Sequence, residues 1–299
     1  MTYSEIWHRI ATSYDDGEAR AIARILIEEL FGLSYTDIVC GATEQLSADD
    51  TLRLDTAVRR IEQGEPLQHV LGYADFCGNR FCVNGSVLIP RPETEWLVDE
   101  GAKLMSGCIA SDEMQHKAPH SPKRILDIGT GSGCIAISLK LRLGDAYVEA
   151  WDISEEALRT AQDNADALKA EVVFRKRDAL RADNTAAPWD LIVSNPPYIC
   201  DSERSAMDDN VLLHEPHTAL FVPDDDPLRF YRAIARYALL TLNIGGSLLF
   251  ECNTRYAEAT GTMLSDMGFE EVTISDDCFN LPRFVRGTSP SQPSPSGRA

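Results

Sequence analysis

Arg124-Ile-Leu-Asp127-Ile-Gly129-Thr130-Gly131-Ser132-Gly133, which runs into Cys134-Ile-Ala-Ile-Ser-Leu139, reads as a strand, a glycine turn and a helix. Glycines let the backbone approach a ligand closely, and a helix start offers N–H groups without intrahelical partners. The layout suits a nucleotide-like ligand. Its spacing is not that of a dinucleotide fingerprint, because Cys134 stands where the third glycine of G-x-G-x-x-G belongs. Two more acids follow the pattern of Asp127. Asp152 closes the strand-like run Tyr147-Val-Glu-Ala-Trp151, at about the separation where such folds bind a ribose hydroxyl pair, and Asp178 follows Glu171-Val-Val-Phe174. Carboxylates accept hydrogen bonds from ribose hydroxyls or an adenine amine and repel a pyrophosphate. One acid after a strand is ordinarily a solvated loop residue. Three at successive strand ends favour an adenosyl ligand without phosphate, S-adenosyl-L-methionine.

The next strand-like run, Leu191-Ile-Val-Ser194, ends in Asn195-Pro196-Pro197-Tyr198. An amide nitrogen, or an amino group on an aromatic ring, has a delocalised lone pair and attacks poorly until its N–H bonds are held. The Asn195 side-chain oxygen and the Pro196 carbonyl supply two acceptors. Neither proline has an N–H and each fixes its own φ, which keeps the segment extended with its carbonyls presented. Tyr198 supplies an aromatic face. The plain alternative is an Asn-Pro turn that merely ends a strand.

Strand-like runs at Arg124, Tyr147, Glu171, Leu191, Ser247 and Glu271 alternate with helical patterns such as Glu155 to Ala170 and Leu228 to Leu242. The alternation predicts an α/β fold with a mostly parallel sheet and helices on both faces. Ligands of such sheets sit beyond the carboxyl ends of the strands, where Asp127, Asp152, Asp178 and Asn195 all map. Before this region, Ile22, Ile25, Leu26 and Leu30 form one helical stripe and Leu54, Ala57, Val58 and Ile61 another, with Ser47 and Asp49-Asp50 as N-terminal caps of the second. They predict a small helical bundle. The expected organisation is a bundle over 1–72, a connecting hairpin and lid segment over 73–105, a surface linker over 106–123, the ligand-binding domain over 124–286 and a disordered tail over 287–299.

These residues together make the chain similar to the HemK/PrmC-type methyltransferases, the family that methylates the glutamine side-chain amide of peptide chain release factors. The resemblance covers most of the chain. Besides the two motifs above, it rests on Gly64-Glu-Pro-Leu-Gln68, Gly72, Phe76-Cys-Gly78, Phe81-Cys-Val83 and above all Val87-Leu-Ile-Pro90-Arg91-Pro92-Glu93-Thr94-Glu95. Glu215-Pro216 with Ala219-Leu220, Asp226-Pro-Leu, and Gly245-Gly246 leading to Phe250-Glu251 keep the family order. Departures are Cys252-Asn-Thr-Arg255-Tyr256, the closing segment Asp277-Cys-Phe-Asn-Leu-Pro-Arg283, and Ala179 in place of an aromatic. The resemblance implies a Rossmann-like class I methyltransferase sheet and S-adenosyl-L-methionine held by Asp127, Gly129, Thr130, Gly131, Ser132, Gly133, Asp152, Ile153, Asp178, Ala179 and Asn195. It implies catalysis by Asn195, Pro196 and Tyr198. Substrate contacts would come from those three with Pro197, Arg91, Glu93 and Thr94. The last three would shape a pocket lid or hold the substrate loop, or else form an ion-paired turn between prolines. The bundle is either a structural cap or a docking module, and the resemblance implies the latter.

Charge bears on the partner. With 47 acids against 28 Lys and Arg, the formal net charge is -19, and residues 1–75 hold 14 acids and 6 bases. No basic cluster exceeds Arg175-Lys176-Arg177, read as a solvated face, so direct nucleic-acid binding is not expected and a protein partner is. The polar start and the lack of a long apolar run predict a cytoplasmic chain outside the membrane; a monomer is the expected state, which no pattern in the sequence carries. Eight scattered cysteines without a CxxC pair read as reduced core thiols, with a Cys77–Cys82 disulfide across a Gly78-Asn79 turn as a minor alternative. No metal is expected; His116 and His120 lack companion ligands. The expected reaction is S-adenosylmethionine-dependent methylation of the glutamine N5 nitrogen in the Gly-Gly-Gln motif of release factors. Methylation of an exocyclic amine of adenine or guanine in RNA or DNA, and a non-catalytic cofactor-binding protein, are the rivals.

Overall fold

Leu54, Ala57, Val58 and Ile61 recur at helical spacing and are all buried in the computed structural model, which describes residues 1–112, 122–182 and 188–291. They lie on α4 (Ala48–Glu62) of a first unit that comprises Met1–Tyr73, Val83–Gly85 and Ala206–Glu215. This unit also holds α1 (Tyr3–Ile10), α2 (Asp16–Phe31), α3 (Tyr35–Val39) and α5 (Leu67–Leu71). Four of these helices, α1 to α4, begin on side chains that accept the unpaired N–H groups: Thr2 and Ser34 form capping boxes with Glu5 and Asp37, Asp15 takes the Gly17 and Glu18 N–H groups, and Ser47 takes that of Asp50. The buried stripe of α2 is Ala19, Ile22, Ala23, Leu26 and Ile27; Ile25 and Leu30 of the expected stripe are half-buried at its margins. Arg9 ties α1 to α4 by hydrogen bonds of 2.7 Å to Asp55 and Glu62.

The second unit, Ala74–Cys82, Ser86–Ser205 and Pro216–Ala299, begins in a hairpin of β1 (Tyr73–Phe76) and β2 (Asn79–Cys82). The hairpin turns on Cys77 and Gly78, with φ of 48° and 75°, one residue earlier than the expected Gly78-Asn79. Two successive left-handed residues match the right-handed strand twist. α6 (Glu95–Asp112) follows, then β3 (Arg124–Ile128), α7 (Cys134–Leu143), β4 (Tyr147–Asp152), α8 (Glu155–Leu168), β5 (Val172–Lys176) and β6 (Trp189–Ser194). β7 (Ile199–Cys200) pairs in parallel with β8 (Phe221–Val222) across α9 (Asp209–His214), which belongs to the first unit, and α10 (His217–Leu220). α11 (Arg229–Thr241), β9 (Leu242–Glu251), α12 (Ala257–Met267), β10 (Glu270–Asp276) and β11 (Pro282–Thr288) complete it.

Seven of these strands form one sheet in the order β10-β11-β9-β6-β3-β4-β5. β9, β6, β3, β4 and β5 run parallel, and β11 is antiparallel to both of its neighbours. Strand alternation sends Leu191 and Val193 of β6 into the layer of α6 and α7, and Ile192 into the layer of α11 and α12. Both faces are therefore covered, as the alternation of patterns predicts. α6 packs so closely that a Cβ on Gly101 would lie 3.0 Å from Leu191 Cδ2.

Three boundaries differ from expectation. Helix α6 continues to Asp112, through the first third of the expected linker, because Leu97, Val98 and Met105 anchor its apolar face on the sheet; residues 113–121, with His116 and His120, lie outside the described residues. β11 takes the last two residues of the expected closing segment, Pro282 and Arg283, and the first two of the expected tail, Gly287 and Thr288. Its run Pro282-Arg-Phe-Val-Arg-Gly-Thr288 has only two large apolar side chains and a leading proline, a weak strand signal that pairing on both edges overrides. The cysteines divide: Cys134, Cys200 and Cys252 are buried, Cys77 is half-buried, and Cys40, Cys82 and Cys278 are exposed rather than in the core. Cys77 and Cys82 are free thiols. Among the described residues no helix is long and apolar enough to cross a membrane, and no group of three or more His, Cys, Asp and Glu could hold a metal ion.

Candidate active site

Five neighbouring parallel strands deliver a polar residue to the same end of the sheet: Asp178 after β5, Asp152 at the end of β4, Asp127 near the end of β3, Asn195 after β6 and Glu251 at the end of β9. A cleft of about 340 Å³ opens beyond these ends, in the second unit. Gly129, Gly131, Asp152, Ile153, Asp178, Ala179, Asn195, Pro196 and Pro197, all singled out in the sequence, line it. So do Ser86, Val87, Thr218, Phe221, Arg229 and Phe230, which carried no recognisable signal beyond family order.

The glycine turn is shaped from within. Gly129, Gly131 and Gly133 have φ of 79°, 55° and 82°, a left-handed series that only glycine adopts without strain. At Gly133 an added Cβ would also fall 2.9 Å from Ile137 Cδ1 and 3.1 Å from Ala161. The Gly129 and Thr130 N–H groups both donate to Trp151 O at 2.9 Å, and Asn164 donates to Ser132 O at 2.9 Å. Asp152 Oδ2 accepts from Gly131 N–H and Oδ1 from Ser154 N–H, each at 2.9 Å, so each oxygen keeps lone pairs for the cleft. Asp178 likewise accepts the Leu180 N–H at 2.9 Å.

Asp127 differs from the expected cofactor contact. It is fully buried, does not line the cleft, and accepts from Thr130 Oγ1 at 2.6 Å, bracing the turn from behind. Thr130, Ser132 and Gly133 also sit behind the lining. Burial pushes the Asp127 carboxyl up to about 7 from 3.8, against the pull of the Thr130 hydroxyl and the Ala136 N–H, and its Oδ1 completes no hydrogen bond. Burial raises Asp152 in the same sense. Because the folded value of Asp127 exceeds the unfolded one, its neutral form contributes stability fully present below about 3.8 and lost as pH rises through about 7. Asp127→Asn should therefore gain stability relative to the parent between pH 5 and 8, by up to about 4 kcal/mol. Urea unfolding of both proteins across that range checks this; a difference independent of pH would refute it.

Ser194 Oγ donates to Ile128 O at 2.6 Å and so clamps the end of β6 to β3 beside the glycine turn. Asn195 follows. Its Nδ2 donates to Thr94 Oγ1 at 3.4 Å, a long bond that orients the side-chain oxygen away from Thr94. Thr94 was expected at the lid or substrate loop. It is only 3% exposed, and its hydroxyl donates to Glu251 Oε2 at 2.7 Å, so it faces inward behind Asn195. Tyr198 does not line the cleft; its hydroxyl donates to Glu251 Oε1 at 3.3 Å. Arg91 and Glu93 are half-buried in the same neighbourhood, Arg91 near Tyr198 and Glu93 near Glu251. The departing segment after β9 has a local use: Asn253 Nδ2 donates to Tyr198 O at 3.3 Å, and Cys252 N–H to Arg283 O at 2.7 Å. The basic run is not simply a solvated face, since Arg175 pairs with the buried Glu149 at 3.1 Å and Arg177 lies over Trp151 and lines the cleft.

The chain matches the PrmC N-terminal domain over residues 8–72 and the Methyltransferase small domain over residues 95–220. It is 42% identical to a release factor glutamine methyltransferase of Bacteroides thetaiotaomicron, over 91% of this chain and 93% of that one. The chain belongs to the release factor glutamine methyltransferase family. A second member of the family, from Flavobacterium psychrophilum, is 36% identical over 93% of this chain and 94% of its own. Among solved structures, a methyltransferase from Pyrococcus furiosus superimposes with a TM-score of 0.50 at 12% identity, over 82% of this chain and 100% of that one. The hMettl16 catalytic domain does so with 0.52 at 17%, over 81% and 82%. At those identities the likeness is one of fold, the mostly parallel methyltransferase sheet.

Proposed function

We propose that this chain methylates the side-chain amide nitrogen, N5, of the glutamine in the Gly-Gly-Gln motif of peptide chain release factors, in the cytoplasm and with S-adenosyl-L-methionine as donor. The observation that carries the reading is the tethered amide of Asn195, whose nitrogen is held by Thr94 and whose oxygen is left to accept at a cleft lined by Pro196. The names of the full-length relatives support the substrate. The cleft suits an adenosyl group: positive-φ glycines permit close approach, Asp152 and Asp178 offer acceptors for hydroxyls or an amine, Ile153 and Ala179 give apolar walls, and the acids disfavour phosphate. When bound, the donor supplies a methyl group made electrophilic by its sulfonium.

Asn195 Oδ1 and the Pro196 carbonyl accept the two N–H bonds of the substrate amide and turn its lone pair toward that methyl group. As the nitrogen–carbon bond forms and the methyl–sulfur bond breaks, its electron pair staying on the sulfur of a departing neutral thioether, positive charge grows on the amide N–H groups and both hydrogen bonds strengthen, which lowers the barrier more than it tightens ground-state binding. Proton loss follows transfer, so no strong base is needed. Arg91, Glu93 and the segment around them hold the substrate loop, and the helical bundle docks the rest of the factor. The protein-directed reading also fits the net charge of -19. The test is transfer of labelled methyl to purified release factor, with a Gln→Ala variant of its Gly-Gly-Gln loop and bulk RNA as parallel acceptors. Label on the intact factor alone establishes the glutamine; label on RNA alone refutes the reading and selects nucleobase methylation.

A further inference from the structure

We propose that Glu251 is a positioning residue for methyl transfer: through Thr94 it sets which way the Asn195 amide faces, and through the Tyr198 hydroxyl it holds the aromatic ring of the same loop. The inference rests on the reading of Asn195 as the substrate amide's acceptor and adds to it the group that makes Asn195 an acceptor.

The chain of hydrogen bonds runs in one direction. The Thr94 hydroxyl points its hydrogen at Glu251 Oε2, at 2.7 Å. The Thr94 oxygen is then left with lone pairs facing Asn195, and only the NH2 end of that amide can meet them, at 3.4 Å. The Asn195 oxygen is thereby turned away from Thr94. Were Thr94 free to donate to Asn195, the amide could rotate by half a turn and present its NH2 group to the substrate, where it would repel the N–H groups it has to hold. The second carboxyl oxygen takes the Tyr198 hydroxyl at 3.3 Å, so both ends of Asn195-Pro-Pro-Tyr198 refer to one buried side chain.

Placement argues against a purely structural role. Glu251 is 1% exposed, and burial drives its carboxyl upward. A buried carboxylate is tolerated when partners compensate it, and its partners here are two hydroxyls from the site's own segments, with Arg283 nearby. Arg283 Nε donates to Asp277 Oδ2 at 2.7 Å. The backbone fixes the position from three sides: β9 pairs with β6, Phe284 of β11 stands opposite Glu251, and the Tyr231 hydroxyl donates to Glu251 O at 3.3 Å. Glu251 thus acts from a rigid strand end on the loop that carries the chemistry.

The test measures kcat, KM for release factor and the cofactor Kd in the full-length protein. Glu251→Gln, equal in size, puts an NH2 donor among hydroxyls that need an acceptor. It should lower kcat at least tenfold while cofactor Kd and KM change less than threefold. Thr94→Val removes the relay, together with one of the two hydroxyls that compensate Glu251, and should reproduce that split, and Thr94→Ser, which restores the hydroxyl, should recover most of the turnover that Thr94→Val loses. The double variant Thr94→Val with Glu251→Gln should be little worse than the poorer single one, since both break the same relay. Parent-like kcat in Glu251→Gln, or a loss spread equally over kcat, cofactor Kd and thermal stability in both single variants, overturns the proposal. Failure of the underlying reading looks different: Asn195→Ala would then keep its turnover whatever Glu251→Gln does.

Discussion

Asn195→Ala should lose turnover by roughly a hundredfold or more while binding S-adenosyl-L-methionine within about threefold of the parent. In the proposed mechanism the Asn195 oxygen is one of two acceptors for the substrate N–H groups, with a bond that strengthens as the nitrogen becomes positive. Loss of a preorganised transition-state contact of this kind costs about 3 kcal/mol, and each 1.4 kcal/mol is about tenfold in rate. Cofactor binding should survive because the proposed adenosyl acceptors, Asp152 and Asp178, stand on β4 and beyond β5, apart from the amide. The Pro196 carbonyl remains, so KM for the release factor should rise less than kcat falls. Single-turnover kinetics at saturating cofactor, beside calorimetric binding, checks both halves. Turnover within threefold of the parent would remove Asn195 from the mechanism.

Asp152→Ala should act on the other side of the reaction, weakening cofactor binding about 30- to 100-fold and leaving kcat at saturating cofactor within about fivefold. The carboxylate has two tasks: it takes the Gly131 and Ser154 N–H groups at 2.9 Å each, which shapes the turn, and it keeps lone pairs for ribose hydroxyls. Hydrogen bonds to a charged group contribute about 1.5–3 kcal/mol, so losing the ligand contacts together with the turn's brace gives the stated range. Stability should move less than affinity, since burial opposes the ionised form of Asp152 and its removal relieves that cost as the two N–H bonds are lost. An unchanged Kd would show that the ribose is held elsewhere in the cleft.

Legibility followed the range of the physics. Helix, strand and glycine turn depend on neighbours a few residues apart, so the periodicity of Leu54 to Ile61 and the run Arg124 to Gly133 carried their own structure. The weak strand β11 did not, because its order comes from pairing with β9 and β10 rather than from its two apolar side chains. Within the site, acids at successive strand ends were readable as ligand contacts, yet Asp127 turned inward to brace Thr130. Glu251 obeys the same strand-end rule and was visible only as part of a family-ordered run.

The sequence by itself determined the alternation of strands and helices and the carboxyl-end placement of Asp152, Asp178 and Asn195, since each follows from local period and residue type. Only the tertiary structure decided which of these groups face the cleft and what holds them. Thr94 lies 101 residues from Asn195 and 157 from Glu251, and these separations close only when β6 and β9 become neighbours and β11 locks the far edge. The orientation of a single amide therefore rests on contacts that no local pattern encodes.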